Sequence, residues 1–172
     1  EGLVSTEEEI RLAAITGISA HKGNLRAAKI LTEHLAADDD ERSAHERRLA
    51  IFGVGEIMTL WQPSRLDEDI NDEASRVMAQ FSRSTVDMDF DTQCVAITAI
   101  RKTRIPSTCE SLFKLFEAGP TQRDCPQLSL ERAPLSPLTL SVHGEFQFRI
   151  LDALSLMAVG NKEALKWITE KQ

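Results

Sequence analysis

The sequence predicts an all-α domain, and three observations lead to this fold class. Apolar residues recur every three or four positions over most of the chain, as one face of an α-helix requires. Glycine, proline and acidic clusters divide these periodic segments into lengths that are typical of globular helices. The strand-like alternation at 138–142 is short and follows a proline, so it does not indicate a sheet.

Eight helices follow from these signals. A capping box, with Ser5 three residues before Glu8, predicts the start of the first helix, and a break at 21–24 ends it. The other helices are predicted over residues 25–36, 41–61, 72–82, 92–102, 107–117, 144–158 and 161–170. Residues 118–142 contain four of the six prolines and lack a helical period. We expect an irregular Pro-rich loop there, within a single domain of residues 1–172.

The apolar stripes also predict which side chains are buried. In the first helix the stripe includes Ile10, and in the third helix it includes Phe52. Gly53 and Gly55 lie in the middle of the third helix, where each costs about 1 kcal/mol relative to alanine. Close approach of neighbouring helices at these two positions would explain that cost.

Composition excludes several classes of protein. The chain has 20 Lys and Arg against 27 Asp and Glu, and this net charge of −7 argues against a nucleic-acid partner. It contains no run of 18 apolar residues and no secretory signal pattern, so no membrane association is expected. Cys94, Cys109 and Cys125 have no Cys-x-x-Cys spacing. We therefore expect reduced thiols in a cytoplasmic or nuclear protein, without a structural zinc site.

No motif for catalysis or cofactor binding is complete in the sequence. Residues 87–91 resemble the start of an EF-hand loop, but Thr92 stands where that loop needs glycine and Thr98 where it needs glutamate. An acidic helix start is the better interpretation. His34 and His45 lack metal-ligand spacing and are interpreted as solvated surface residues. We expect no catalytic residue, no metal and no cofactor.

Four of the predicted helices share a short pattern. Residues 11–18, 48–55, 94–101 and 149–156 can be laid over one another, and the second position is aliphatic in each. Arginine opens three of the four segments. A break that contains glycine, asparagine or proline follows, and then a shorter helix. Such recurrence is the sequence signature of a helical repeat.

This pattern resembles the HEAT repeat, and more broadly the armadillo-like helical repeats. The segments 6–38, 91–119 and 145–171 match best, and 42–82 is the poorest match. The resemblance implies an α-α superhelix of about four antiparallel helix pairs, interrupted by the Pro-rich insert. The alternative fold is a non-repeating helical bundle.

In solenoids of this kind the second helices usually line the concave surface that binds partners. The resemblance therefore implies a partner-binding face made of the charged residues on the second helices. These residues are Arg26, Lys29, Glu33, Glu110, Lys114, Glu163, Lys166 and Glu170. Their mixed signs favour a protein partner over nucleic acid.

We therefore expect a non-enzymatic protein-interaction or scaffold module, which could be a fragment of a larger α-solenoid. The alternative is a self-contained helical bundle that serves as a regulatory domain or as an effector of a pathogen. A third alternative is an enzyme whose site is assembled from residues distant in sequence. A concave pocket with convergent polar groups would distinguish an enzyme from a binding module.

Overall fold

A computed structural model describes residues 2–37, 43–59, 61, 67–84, 88–103, 105, 108–119, 142–158 and 161–171. Within these ranges all regular secondary structure is helical, which confirms the predicted all-α class. A short 3-10 helix, Gly2–Val4, is followed by α1 (Glu8–Ser19), α2 (Leu25–Ala36), α3 (Ala44–Met58), α4 (Glu68–Ser84), α5 (Phe90–Thr103), α6 (Cys109–Ala118), α7 (Val142–Ala158) and α8 (Lys162–Lys171).

Side-chain caps set the starts of five helices. Asn24, Ser43, Asp67, Asp89 and Asn161 each accept a hydrogen bond from the backbone N–H three residues later, at 3.0–3.2 Å. These caps satisfy N–H groups that have no partner within the helix. The cap at Asp89 confirms that the acidic segment around residue 89 begins a helix.

The predicted capping box of α1 is wrong. The helix begins at Glu8, and Ser5 Oγ accepts the N–H of Glu7 at 3.2 Å, so the contact spans two residues and not three. The carboxylate of Glu8 instead accepts a hydrogen bond from Ser43 Oγ at 2.5 Å. The side chain that was expected to cap its own helix therefore joins the starts of α1 and α3.

Other boundaries differ from the prediction by a few residues. The bounds of α2 match, whereas α3 ends at Met58 and α4 begins at Glu68. Because α6 extends to Ala118 and α7 begins at Val142, both ends of the predicted loop 118–142 are helical. Residues 120–141, and the acidic break that the sequence places at 38–41, lie outside the described residues.

The helices pack in two rows. The odd-numbered helices contact one another in the order α1, α3, α5, α7, and the even-numbered helices in the order α2, α4, α6. Trp167 of α8 extends the second row, because its ring stacks on Phe113 of α6 at 4.7 Å and meets Phe116 edge-on at 5.0 Å between centroids. Contacts of α2 with α3, and of α7 with α6 and α8, join the two rows.

Apolar residues from both rows form the hydrophobic core. Its largest members, which are fully buried, include Phe81, Phe146 and Leu31. Two side chains assigned to apolar stripes lie outside it, because Ile10 is 44% exposed and Phe52 is 48% exposed. The reason in α3 is that its contacts with α1, α2 and α5 leave one face of the helix open, and Phe52 occupies that face.

Two glycines allow α3 to lie close to its neighbours. A Cβ atom at Gly53 would lie 2.1 Å from Ser19 Oγ and 2.9 Å from Leu31 Cδ1. At Gly55 a Cβ would lie 2.8 Å from the Cβ of Ala99 in α5 and 2.9 Å from its Cα. The predicted close helix approach is confirmed at both positions.

Candidate protein-binding site

Part of the predicted partner-binding face forms a groove between α2 and α4. Arg26, Lys29 and Glu33 lie on one face of α2, because residues three and four apart on a helix are neighbours. Glu73 of α4 completes the rim, and Lys29 Nζ lies 3.3 Å from its Oε1. Leu25 and Ile30 supply apolar surface between these charges, and the groove has a volume of about 490 Å³.

This groove offers charge pairing and hydrogen bonding together with apolar contact. The guanidinium of Arg26 can bind a carboxylate through two parallel N–H groups, and Glu33 can accept from a cation or a backbone N–H. The charges of its four ionisable lining residues sum to zero. A polypeptide segment with side chains of both signs matches such a lining.

Four of the other predicted residues lie outside this groove. Glu110 and Lys114 form an exposed ion pair one turn apart on α6, at 2.9 Å, and the hydrogen bond from Lys114 lowers the pKa of Glu110. Lys166 and Glu170 pair in the same way on α8 at 3.8 Å. Glu163 also belongs to α8, and its side chain lies outside the described residues. The structure thus places three of the eight predicted residues in one groove.

Glu73 is the charged groove residue that was not predicted from the sequence, and the apolar Leu25 and Ile30 were also outside the predicted partner surface. Glu73 lies in α4, the second helix of the poorest repeat match, and the charged face of that helix was not assigned to the partner surface. The signal was present, because residues 69, 73 and 76 follow the spacing of one helical face.

The interpretation of His34 as a surface residue is wrong. Its side chain is 5% exposed, and its Nε2 lies 3.0 Å from Oε1 of Glu46, which is itself fully buried. Arg11 of α1 holds the same carboxylate, with Nη2 3.0 Å from Oε2. His34 is buried because it lies one turn after Leu31 on the face of α2 that contacts α3. His45 is exposed, as predicted.

Glu56 of α3, in the odd-numbered row, has a carboxylate that lies between two lysines. Lys102 of α5 donates to Glu56 of α3, and Lys22 Nζ lies 3.2 Å from its other oxygen. The hydrogen bonds from Lys102 and Lys22 lower the pKa of Glu56 below its ordinary value of 4.5. The Lys102 ammonium also lies 4.8 Å from the centroid of the exposed Phe52 ring, in cation–π geometry.

We expect the carboxyl carbon of Glu56 to titrate below pH 4.5 in a ¹³C NMR experiment, and Lys102→Met to raise the midpoint. A folded-state pKa below the unfolded value means that the ion pairs stabilise the protein above pH 4.5 and that this contribution is lost as pH falls through the folded pKa. Lys114→Met, on another helix, is the matched control. An unchanged midpoint in Lys102→Met would contradict the assignment.

Among the described residues, no three His, Cys, Asp or Glu side chains are grouped as metal ligands. In the same part of the chain, no helix has both the length and the apolar character to cross a lipid bilayer. Compared with models of known families, with curated protein sequences and with solved structures, the chain gives no significant match.

Proposed function

We propose that this protein is a non-enzymatic protein-interaction module, built from HEAT-like helix pairs, that binds a segment of a partner protein in the groove between α2 and α4. The single observation that carries the proposal is the groove itself. Three charged residues expected on the partner surface, Arg26, Lys29 and Glu33, line one concavity with Glu73 from the next even-numbered helix.

The order of helix contacts supports the repeat architecture. Within the described residues, every principal contact joins helices that are one or two apart in chain order. Stacked helix pairs behave in this way, since each repeat contacts only its neighbours. A closed bundle, the alternative fold, brings its first and last helices together.

The chemistry of the groove supports a polypeptide ligand. Exposed ion pairs such as Lys29–Glu73 contribute little to stability, so they can exchange partners with charges on a ligand at low cost. Recognition through such charges affects specificity and association rate more than affinity. A module of this kind selects a segment by its charge pattern.

The test is affinity purification from cells that naturally express the protein, followed by quantitative mass spectrometry. A double charge reversal, Arg26→Glu with Lys29→Glu, is compared with the wild type. We expect at least one specific partner to fall about tenfold in recovery, because like charges then face each other across the groove.

A second double variant, Lys114→Glu with Lys166→Glu, is the matched control for net charge. It changes the same number of lysine or arginine charges on α6 and α8, outside the groove. Partners should remain bound to this control. If the groove variant retained every partner of the wild type, the proposed surface would be wrong.

A further inference from the structure

A second groove crosses the outer face of the odd-numbered row, where α3, α5 and α7 lie side by side. Phe52 forms one wall, the floor includes Val95, Thr98 and Ala99 of α5, and Arg149 of α7 lies at the opposite side. The volume is about 210 Å³. This groove is independent of the α2–α4 groove, because it lies on the other row of helices.

The charge of this lining differs from that of the first groove. Lys102 and Arg149 are its two ionisable lining residues in the described part of the chain, apart from the thiol of Cys94, and both are cations. The α2–α4 groove combines two cations with two carboxylates. Lys102 is paired with Glu56, but an ammonium has three N–H donors and a guanidinium has five, so both cations can donate to a carboxylate ligand besides their present partners.

The size and shape of the groove indicate what else the ligand carries. Small-molecule sites typically enclose about 300–1,000 Å³, so a space of about 210 Å³ suits a single large side chain better than a whole cofactor. The exposed ring of Phe52 and the apolar floor would be covered by such a side chain. Aromatic residues in pockets of this kind often dominate binding energy.

The Lys102 ammonium can accept a new carboxylate without leaving Glu56 uncompensated. Lys22 also holds Glu56, at 3.2 Å. An ammonium has three N–H donors, so Lys102 can donate to Glu56 and to a ligand at the same time. Its position above the Phe52 ring brings the cation directly beside the apolar wall.

We propose that this groove binds a short acidic segment of a partner protein, with one large apolar side chain inserted against Phe52 and Val95 and flanking carboxylates held by Lys102 and Arg149. Leucine or another branched aliphatic residue, between glutamates or aspartates, fits this lining. The surface is thus selective for negatively charged segments, whereas the α2–α4 groove takes segments of mixed charge.

Fluorescence polarisation with three labelled peptides of 12 residues tests the proposal. The first peptide consists of glutamates around two leucines, the second replaces the leucines with serines, and the third replaces the glutamates with lysines. A single-stranded oligothymidine of the same length tests the other class of polyanion. We expect the first peptide to bind and the other three ligands to bind at least about tenfold more weakly, since each lacks one of the two required features or cannot insert a side chain.

Two variants then locate the site. Thr98→Trp fills the groove without changing its charge, and Arg149→Glu reverses one charge without filling it. Each is expected to weaken binding of the leucine–glutamate peptide about tenfold, whereas Arg26→Glu, in the other groove, leaves it unchanged. Far-ultraviolet circular dichroism establishes that each variant is folded.

Several results would overturn the proposal. The first is the absence of binding at about 1 mM peptide. The others are unaltered affinity in folded Thr98→Trp and tighter binding of the oligothymidine than of the leucine–glutamate peptide. Loss of binding in Arg26→Glu alone would show that the peptide binds in the α2–α4 groove and would likewise contradict this assignment. Because the two grooves are tested with different ligands and variants, a negative result for one does not decide the result for the other.

Discussion

Replacing Glu46 with alanine is expected to lower the free energy of unfolding by about 3–5 kcal/mol. Glu46 is fully buried in the first turn of α3, where it contacts Arg11 of α1 and His34 of α2. Arg11 is 12% exposed and also donates to the backbone carbonyl of Ser5 at 2.9 Å. Removing the carboxylate takes a counter-charge from the guanidinium and a hydrogen-bond partner from the imidazole, at a position where the carboxylate is fully buried.

Urea denaturation followed by circular dichroism measures this loss. Glu33→Ala is the matched control, since Glu33 is an exposed carboxylate next to His34, and its effect should stay within about 0.5 kcal/mol. A free energy of unfolding of Glu46→Ala within about 1 kcal/mol of the wild type would contradict this prediction, because it would show that loss of the carboxylate leaves no costly uncompensated charge.

A triple variant separates the cost of burial from the value of the contacts. Replacing Arg11 with methionine and both Glu46 and His34 with leucine removes every charge and keeps most of the volume. Because buried ion pairs replaced by apolar groups are often neutral in stability, the triple variant should be more stable than Glu46→Ala alone.

The second large effect is expected at Gly55. Gly55→Ala should destabilise the protein by about 2 kcal/mol, even though alanine is the better helix former by about 1 kcal/mol. The added methyl group would meet the Cβ and Cα of Ala99 at 2.8 and 2.9 Å. Neither atom can rotate away, so α3 and α5 must move apart.

Gly17→Ala is the matched control and should have the opposite sign. A Cβ at Gly17, on the exposed side of α1, would meet nothing within 4 Å, so only the gain in helix propensity of about 1 kcal/mol remains. Thermal unfolding distinguishes the two, since 1 kcal/mol shifts the midpoint by about 2–4 °C in a chain of this length. Combining Gly55→Ala with Ala99→Gly should recover part of the loss, and purely additive effects would contradict the proposed contact.

Much of the fold follows from local signals in the sequence. The periodicity of apolar residues predicted eight helices in the right order. The break at 21–24 marked the start of α2, where the structure shows Asn24 capping the helix. The close approach at Gly53 and Gly55 was also predictable, since a glycine in the middle of a helix needs a steric reason. The signals that succeeded are those carried by a few neighbouring residues.

Most of the failures concern contacts between helices, and the capping box of α1, which is a local signal, is the exception. The burial of His34 depends on Glu46 and Arg11, which lie on two other helices, and no local pattern reports such a partner. The exposure of Phe52 has the same origin, because apolar periodicity does not tell which side of a stripe a neighbouring helix covers. Within the candidate site, Arg26, Lys29 and Glu33 share one helix and were predicted together, whereas Glu73 comes from another helix and was missed.

The order of helix contacts has a consequence for how the chain folds and opens. Since the principal contacts join helices close in chain order, few long loops must close before stabilising contacts form, and proteins of this kind fold fast for their size. Within the described residues, α8 is contacted by α7 and, through the ring of Trp167, by α6. Amide hydrogens of α8 should therefore exchange with solvent sooner than those of α3, which is contacted by α1, α2 and α5.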